Sequence, residues 1–367
     1  RGLGDVYKRQ VLGVFGMYRL KDNYIYREEL NKTLGNIVNS SLLSKKKILV
    51  TGATGLIGSS IIDTLLFLEE KKAIGIEIYA LGRSLARLQT RFPKAPKNLH
   101  FIEQDVSEKL TGLPKIDLLI HAASNANPKA YSEDPIGTIK GNVEATLSLL
   151  DYCREVSAEQ FVYISSGEVY GQLPEESVPF SEEMAGYIDS MNVRSCYMLA
   201  KKMSENICVS YAHQYGLTSK IIRLSHVFGA NYTTKDTRVS AAFVSDAMQG
   251  KDIVLKSLGN QLRSYVYIAD AVSGILSVIT TGKPNNAYNV TNTENSVTLA
   301  DFARIIAKFS GVDVKFELPE KEKIDINKVT PISFAVLSNH KLRELNWNPS
   351  FSLEEGVKDM IEILKQG

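Results

Sequence analysis

Two side chains that can move a proton stand four residues apart in the stretch RSCYMLAKK, at Tyr197 and Lys201. On a helix this spacing places both on one face. Because a free tyrosine titrates near 10, a tyrosine base at neutral pH requires about 4 kcal/mol of extra stabilisation of its phenolate. The ammonium group of Lys201 can supply part of it. The pair therefore predicts proton transfer at a substrate hydroxyl.

A second group of reactive side chains lies in the stretch YISSGEVYGQ, residues 163–172. Its apolar beginning predicts the end of a buried strand, and the following turn carries Ser165, Ser166 and Glu168. A carboxylate two residues beyond a pair of hydroxyls is a candidate for a reacting group. It can equally be a solvated loop residue or a partner of Arg194, and the sequence leaves these alternatives open.

A glycine loop, TGATGLIG, follows directly after the apolar run KILVT. Its glycines have the spacing G-x-x-G-x-x-G, and a helical pattern begins at once behind them. A strand, a tight turn and a helix in this order let the backbone approach a pyrophosphate at the positive end of the helix. The loop predicts a dinucleotide cofactor held by Gly52, Thr54, Gly55, Leu56, Ile57 and Gly58.

The adenosine end of that cofactor is expected at the second and third strands. A reader of the ribose 2′-hydroxyl is an acidic residue after the second strand, but the chain reads ALGRS there. Arg83 and Ser84 can hold a 2′-phosphate, which favours NADP, or Arg83 only covers the adenine or is solvated. Asp105, in EQDV, is expected to meet the adenine amine or to be a plain turn residue.

The elements that position these groups follow from alternating apolar runs and helical patterns. The pattern predicts a Rossmann-like doubly wound parallel α/β sheet with a smaller C-terminal α/β substrate lobe. The predicted strands are 47–51, 77–81, 99–103, 117–121, 160–165 and 219–224. The predicted crossover helices cover 56–70, 135–156 and 196–216.

The chain divides into four predicted parts. Residues 1–10, RGLGDVYKRQ, can be back-translated into a transposase sequencing adapter, and we interpret them as an assembly artefact, with Met17 a plausible start. Residues 11–46 form a helical N-terminal extension. Residues 47–224 form the cofactor-binding domain, with a return to it near 264–290, and 225–367 are mainly the substrate lobe.

Composition narrows the class of partner. A formal charge of +2 over 367 residues, without a basic block between aromatics, argues against a nucleic-acid or membrane surface. The one apolar run near the N-terminus is too short to span a bilayer. Three cysteines without metal-ligand spacing indicate free thiols, no metal site and a cytoplasmic location.

The glycine loop, HAAS at 121–124, SSGEVYG, Y-x-x-x-K and RSYVYIAD occur in an order that resembles the extended short-chain dehydrogenases acting on nucleotide sugars. The resemblance covers residues 47 to the C-terminal helix. It implies bound NAD that oxidises the sugar at C4, with Tyr197 as base and Ser166 bonded to the same hydroxyl. It also implies that Lys201 bonds the nicotinamide ribose. Further contacts are implied for Ala122 and Ala123 with the cofactor and for Ser124 with the substrate.

Within this group the chain is most similar to UDP-glucuronate decarboxylases, through HAASNANPKAY, the glutamate before VYG and an arginine ahead of CY. This resemblance implies that Glu168 orients the sugar or a water while carbon dioxide leaves, and helps to manage the C5 proton. The pattern of these enzymes has a serine where this chain has Gly167. The alternatives are a nucleotide-sugar 4-epimerase, which does not need Glu168, a 4,6-dehydratase, whose leaving-group acid is absent at Gly167, and an NADPH-dependent reductase. A non-catalytic nucleotide sensor is disfavoured because Tyr197 and Lys201 are both present.

The same resemblance implies three further contacts with a nucleotide-sugar substrate, expected to be UDP-linked. His226 stands where the family has an asparagine near the diphosphate, and Arg238 matches a position that faces the nucleotide. Arg263 matches an arginine near the substrate that either binds the diphosphate, together with Arg238, or acts in protonation. His226 can instead be a packed residue, and either arginine can be a surface residue. In the related enzymes the helices at 135–157 and around Tyr197 form a dimer face, so a homodimer is expected.

Overall fold

The computed structural model describes residues 17–124, 126, 128–173, 178–233, 236, 238–318 and 332–366. Predicted features at 1–16 lie outside this range, among them the proposed adapter segment. Within the described ranges, no helix is both long and apolar enough to cross a membrane.

A seven-stranded, all-parallel sheet forms the centre of the molecule. Its strands are β1 (Lys47–Thr51), β2 (Glu77–Gly82), β3 (Leu99–Glu103), β4 (Leu118–His121), β5 (Gln160–Ser166), β6 (Ser219–Leu224) and β10 (Asn286–Val290). Their order is β10-β6-β5-β4-β1-β2-β3. The chain reverses direction across the sheet between β1 and β4, and a crevice opens there at the carboxyl ends of the strands.

Helices cover both faces of this sheet, and buried apolar side chains fill the layers between them. The helices up to the sixth strand are α1 (Tyr24–Gly35), α2 (Leu56–Lys72), α3 (Leu85–Arg91), α4 (Pro128–Glu133), α5 (Pro135–Glu155) and α6 (Cys196–Tyr215). The later helices are α7 (Val239–Met248), α8 (Ile268–Thr281), α9 (Leu299–Ser310), α10 (His340–Arg343) and α11 (Leu353–Gln366). This architecture confirms the predicted fold class.

The C-terminal half also contains two small sheets. The first contains β7 (His226–Phe228), β9 (Leu262–Tyr267), β11 (Ser296–Thr298) and β13 (Phe334–Ala335), with β9 paired to the other three. The second pairs β8 (Ile253–Leu255) with β12 (Val314–Phe316). The first sheet brings the segment after β6 beside the carboxyl edge of the large sheet.

The N-terminal helix α1 packs against α2, α8 and α11. Tyr26 donates a hydrogen bond to buried Asp63 on the cofactor-side helix α2, at 2.8 Å. Asp63 also forms a buried ion pair with Arg91. Burial raises the pKa of Glu29 to about 8, and Tyr267 donates a hydrogen bond to its carboxyl at 2.5 Å. Helix α1 of the predicted extension is therefore part of the folded core.

Candidate active site

A cavity of about 620 Å³ opens at the carboxyl edge of the large sheet. It runs from the glycine loop past the carboxyl ends of β4 and β5 to the first small sheet. Of the predicted site residues, it is lined by Gly55, Leu56, Ile57, Gly58, Arg83, Ala122, Ser124, Ser166, Glu168, Tyr197, Lys201, His226, Arg238 and Arg263. Gly52, Thr54, Asp105 and Ala123 are not among the lining residues.

The glycine loop is shaped for a group that the backbone approaches closely. Gly52 has φ +65, and a Cβ on it would lie 2.7 Å from the carbonyl oxygen of Ala122. A Cβ on Gly58 would collide with the carbonyl oxygen of Gly52. Helix α2 begins at Leu56 without a side-chain cap from Gly55, so its first N–H groups are free to bind an anion. This cradle fits the pyrophosphate of a dinucleotide.

A buried histidine joins the ends of β1 and β4 beside this cradle. Nδ1 of His121 is 2.9 Å from the hydroxyl oxygen of Thr51, and the same oxygen accepts from the N–H of Ala123 at 3.1 Å. Burial lowers the pKa of His121 to about 3, so the ring is neutral. The predicted cofactor residue Ala123 therefore helps to hold the cradle from behind.

At the adenosine end, Arg83 and Arg87 line the cavity. Asp105 accepts hydrogen bonds from the N–H and the hydroxyl of Ser107, at 3.0 and 2.8 Å. The bond from the Ser107 N–H lowers the pKa of Asp105, with a smaller contribution from Arg83. Asp105 is thus an ionised turn residue next to Arg83.

Tyr197 lies in the first turn of α6 and is buried. Its ring stacks on that of Tyr131, with centroids 4.6 Å apart and 14° between the planes. Burial raises the pKa of Tyr197, the charge of Glu168 raises it further, and a hydrogen bond with Ser166 opposes both. Without cofactor, the phenol therefore keeps its proton.

Lys201 is buried one turn further along α6, and its ammonium group donates to the carbonyl oxygen of Ile164 at 2.7 Å. Burial lowers the pKa of Lys201 to about 7, and the charge of Glu205 opposes this shift. Its Nζ lies 5.9 Å from the centroid of the Tyr197 ring. A cation next to the phenol favours the phenolate, as base chemistry requires.

Glu168 faces the cavity between two arginines. Burial raises the pKa of its carboxyl group, and the charges of Arg194 and Arg263 oppose that shift. In the described part of the chain, no side chain forms a hydrogen bond or an ion pair with this carboxylate. Glu168 is therefore a half-buried carboxyl group at the cavity, close enough to Arg194 to feel its charge, and its role in contacting a ligand stays a prediction.

Gly167, between Ser166 and Glu168, packs against the side chain of Leu337. A Cβ at position 167 would lie 3.0 and 3.1 Å from the two δ-carbons of Leu337, closer than ordinary packing allows. Leu337 also lines the cavity. An apolar side chain therefore fills the space next to the position where the decarboxylase pattern has a serine.

The predicted substrate residues lie around the far end of the cavity. His226 is half-buried, its Nδ1 has no hydrogen-bond partner in the described structure, and burial lowers its pKa to about 3. Arg238 pairs with Asp236 at 2.6 Å. Ser124 donates to Asn142 at 3.0 Å. No ion pair of Arg263 is found among the described residues.

Four residues near the reacting groups escaped the sequence analysis as functional candidates: Tyr131, Glu205, Arg223 and Leu337. Tyr131 lies in the quoted stretch HAASNANPKAY, but only the fold shows that its ring contacts Tyr197. Glu205 is four residues after Lys201, a spacing that indicates one helix face. Leu337 has no local signal, because it comes from a distant part of the chain.

Comparison with known proteins shows the family. The model described as the NAD dependent epimerase/dehydratase family matches residues 48–291, more than half of the chain. The chain belongs to this family. Membership in the NAD dependent epimerase/dehydratase family confirms the predicted resemblance, the prediction of an enzyme and NAD as cofactor.

Curated proteins similar to this chain include UDP-glucuronic acid decarboxylases. UDP-glucuronic acid decarboxylase 1 of Xenopus tropicalis is 29% identical over 329 residues, which are 88% of this chain and 73% of that protein. UDP-glucuronic acid decarboxylase 6 of Arabidopsis thaliana is 29% identical over 326 residues, 87% of this chain and 89% of that protein.

Solved structures confirm the fold. A UDP-glucose 4-epimerase of Thermotoga maritima superposes with a TM-score of 0.72 at 23% identity, covering 87% of this chain and 99% of that one. The dTDP-glucose 4,6-dehydratase DesIV of Streptomyces venezuelae, with NAD bound, gives a TM-score of 0.75 at 22% identity, covering 87% and 97%.

Proposed function

We propose that this protein decarboxylates UDP-glucuronate to a UDP-pentose. The observation that carries the proposal is the position of Glu168, which has no ion-pair partner among the described residues, feels the charges of Arg194 and Arg263, and lies in the same cavity as Tyr197 and Ser166. The sugar of UDP-glucuronate carries a negatively charged carboxylate, which the guanidinium groups of Arg194 and Arg263 can bind in a low-dielectric site.

The chemistry that bound NAD supplies is removal of a hydride from sugar C4 and its later return. Tyr197, helped by the Lys201 ammonium group, takes the proton of the C4 hydroxyl, which also contacts Ser166. The C4 ketone makes the C6 carboxylate a β-keto acid. The C5–C6 bond breaks, its electron pair forms an enolate over C5 and the C4 oxygen, and carbon dioxide leaves. Glu168 orients the sugar or a water for protonation at C5.

The test is incubation of the purified protein with UDP-glucuronate, without added cofactor, followed by mass spectrometry of the nucleotide sugar. Loss of the mass of carbon dioxide supports the proposal, since the hydride is returned and no external oxidant is consumed. Unchanged UDP-glucuronate in protein shown to contain NAD would refute it.

A 4-epimerase is the second candidate, and Gly167 favours it. Epimerisation needs only that the 4-keto sugar presents its other face to the returning hydride, so a small uncharged residue after Ser166 is sufficient. The same incubation distinguishes it, because epimerisation gives a new chromatographic peak at unchanged mass. A 4,6-dehydratase is less supported, since glycine at position 167 cannot protonate a leaving hydroxyl.

The exposed arginines at the adenosine end of the cavity favour a third candidate function, that of an NADPH-dependent reductase. Arg83 and Arg87 both line the cavity, and the second strand ends in Gly82 rather than in an acidic residue. A reductase would show stoichiometric loss of NADPH absorbance with a nucleotide sugar. A decarboxylase would show none.

We further propose a homodimer formed by α5 and α6. These helices pack against each other, and exposed apolar side chains remain on their outer surfaces. On α5 they are Ile136 and Ile139, and on α6 they are Leu199 and Met203. Light scattering of the wild-type protein should give twice the mass of the chain, and light scattering of the Met203→Glu variant should give the mass of a single chain.

The three cysteines are free and buried, which supports a cytoplasmic location.

A further inference from the structure

The turn that carries Ser166 and Glu168 is held at both ends by one ion pair, whose side chains are 9% and 14% exposed. Before the turn, the hydroxyl of Ser165 donates to Oε1 of Glu205 at 2.6 Å. After it, Nη1 of Arg223 donates to the hydroxyl oxygen of Tyr170 at 3.1 Å. Glu205 and Arg223 are joined by two hydrogen bonds, of 3.1 Å from Nε and 2.8 Å from Nη2.

The groups around this pair are withdrawn from water. Ser165 and Tyr170 are 3% and 1% exposed, and Glu205 is 7% exposed. Tyr170 donates further to Asn289 on β10 at 2.7 Å, and Arg223 donates to the carbonyl oxygen of Glu182 at 2.9 Å. Because buried polar groups that lose a partner are costly, this network resists distortion.

Glu205 lies on the same helix as the proton-transfer pair, one turn beyond Lys201 and two turns beyond Tyr197. We propose that Glu205 and Arg223 are positioning residues, which clamp the helix carrying Tyr197 and Lys201 against the turn carrying Ser166 and Glu168. We call these two residues the clamp. The inference deepens the proposed function and rests on it, because the clamp sets the distances between groups that act on one sugar.

The clamp also adds charge next to Lys201. The groups that face this ammonium from the elements around it are His121 on β4, Tyr163 on β5, and Tyr197, Glu205 and Cys208 on its own helix. Burial lowers the pKa of the histidine and raises that of both tyrosines and the cysteine, so all four are neutral. Glu205 supplies the negative charge that keeps Lys201 protonated.

The first experiment compares Ser165→Ala and Tyr170→Phe, each of which removes one bond between the clamp and the turn. The matched control is Ser273→Ala on α8, a fully buried serine that accepts from the indole N–H of Trp347 at 2.9 Å, far from the cavity. Melting temperature, kcat and KM for UDP-glucuronate are measured for all three variants and the wild type.

We expect all three variants to lose similar amounts of thermal stability. Since a misplacement of about 1 Å can cost about 100-fold in rate, Ser165→Ala and Tyr170→Phe should each lower kcat about 10-fold with little change in KM. Ser273→Ala should keep the wild-type kcat. If Ser165→Ala and Tyr170→Phe lower kcat no more than the control, the network is only structural and the inference is wrong.

The second experiment uses Glu205→Gln, which keeps the shape of the side chain and removes its charge. Lys201 acts as an ammonium ion, so activity falls as pH rises through its pKa, and loss of Glu205 lowers that pKa. The alkaline limb of kcat/KM should move to lower pH by about 1 pH unit. If the alkaline limb of kcat/KM stays at the same pH in a folded Glu205→Gln variant, Glu205 does not keep Lys201 protonated.

Failure of the proposed function gives a different result. If the wild-type protein turns over no UDP-glucuronate, crystal structures of wild type and Ser165→Ala still test the clamp. We expect the distance between the Tyr197 and Ser166 hydroxyl oxygens to increase by more than about 0.5 Å in the variant. An unchanged distance would overturn the clamp whatever the substrate.

Discussion

The glycine-loop cradle at the cofactor end of the cavity comes from one continuous segment, β1 to α2, whereas the sugar end collects side chains from β5, α6, β9 and the segment after β13. At the cofactor end the contacts come from backbone N–H groups and from glycines that leave room for a ligand. At the sugar end they come from charged and hydroxyl side chains brought together from distant positions.

This difference separates binding from chemistry. A backbone cradle recognises a pyrophosphate and is insensitive to most side-chain changes, provided that the glycines remain. The sugar end depends on the identity and position of each side chain. Substitutions at the two ends should therefore separate into those that remove the cofactor and those that remove the reaction.

The largest effect is expected for Tyr197→Phe. Without the phenol, the proton of the C4 hydroxyl has no acceptor. Turnover should therefore fall by at least about 10³-fold, within the usual range for a general base. NAD content and melting temperature should stay close to wild type, because the ring still stacks on Tyr131. Activity close to wild type would show that another group takes the proton.

Glu168→Gln should lower decarboxylation by about 100-fold, as expected for a group that manages a proton. The amide keeps the shape of the carboxylate and leaves NAD binding unchanged, so the effect belongs to the sugar end alone. Rates are measured by release of carbon dioxide. Undiminished release of carbon dioxide by this variant would show that Glu168 does not manage the proton at C5.

Gly52→Ala should act on the other end. A methyl group there meets the Ala122 carbonyl at 2.7 Å, and the positive φ adds strain. The combined cost should weaken NAD binding by about 30-fold, measured by fluorescence titration. The control is Gly141→Ala on α5, where a Cβ meets nothing within 4 Å. Equal NAD affinity in both variants would contradict the cradle.

The smallest effect is expected for Gly167→Ser, which restores the decarboxylase pattern. The added side chain meets Leu337 at 3.0 Å. Overpacking of about 1 to 2 kcal/mol should lower the melting temperature and reduce kcat about 5-fold. The double variant Gly167→Ser with Leu337→Ala should recover kcat. If the single variant is more active than wild type, the glycine is a defect in this site and not an adaptation to Leu337.

Six of the seven strands of the large sheet, and its crossover helices, were predictable because each is a local pattern. The seventh strand, β10, was covered only by the predicted return near 264–290. The predicted strand 117–121 begins one residue later, at Leu118, and the carboxylate of Asp117 caps the start of β1 by accepting from the N–H of Lys47. The glycine loop was predictable for the same reason. The role of the N-terminal helix was not predictable, because Tyr26 and Glu29 form hydrogen bonds with residues on α2 and β9.

By itself, the sequence determined the fold class, the cofactor loop and the Tyr197–Lys201 pair, because all three are patterns of a few neighbouring residues on one strand, turn or helix. Only the tertiary structure decided that Tyr131 stacks on Tyr197, that Leu337 occupies the space beside Gly167 and that Glu205 and Arg223 hold the turn at both ends. These contacts join residues between 18 and 170 positions apart. Spacing along a chain cannot encode them, since they depend on how the elements pack.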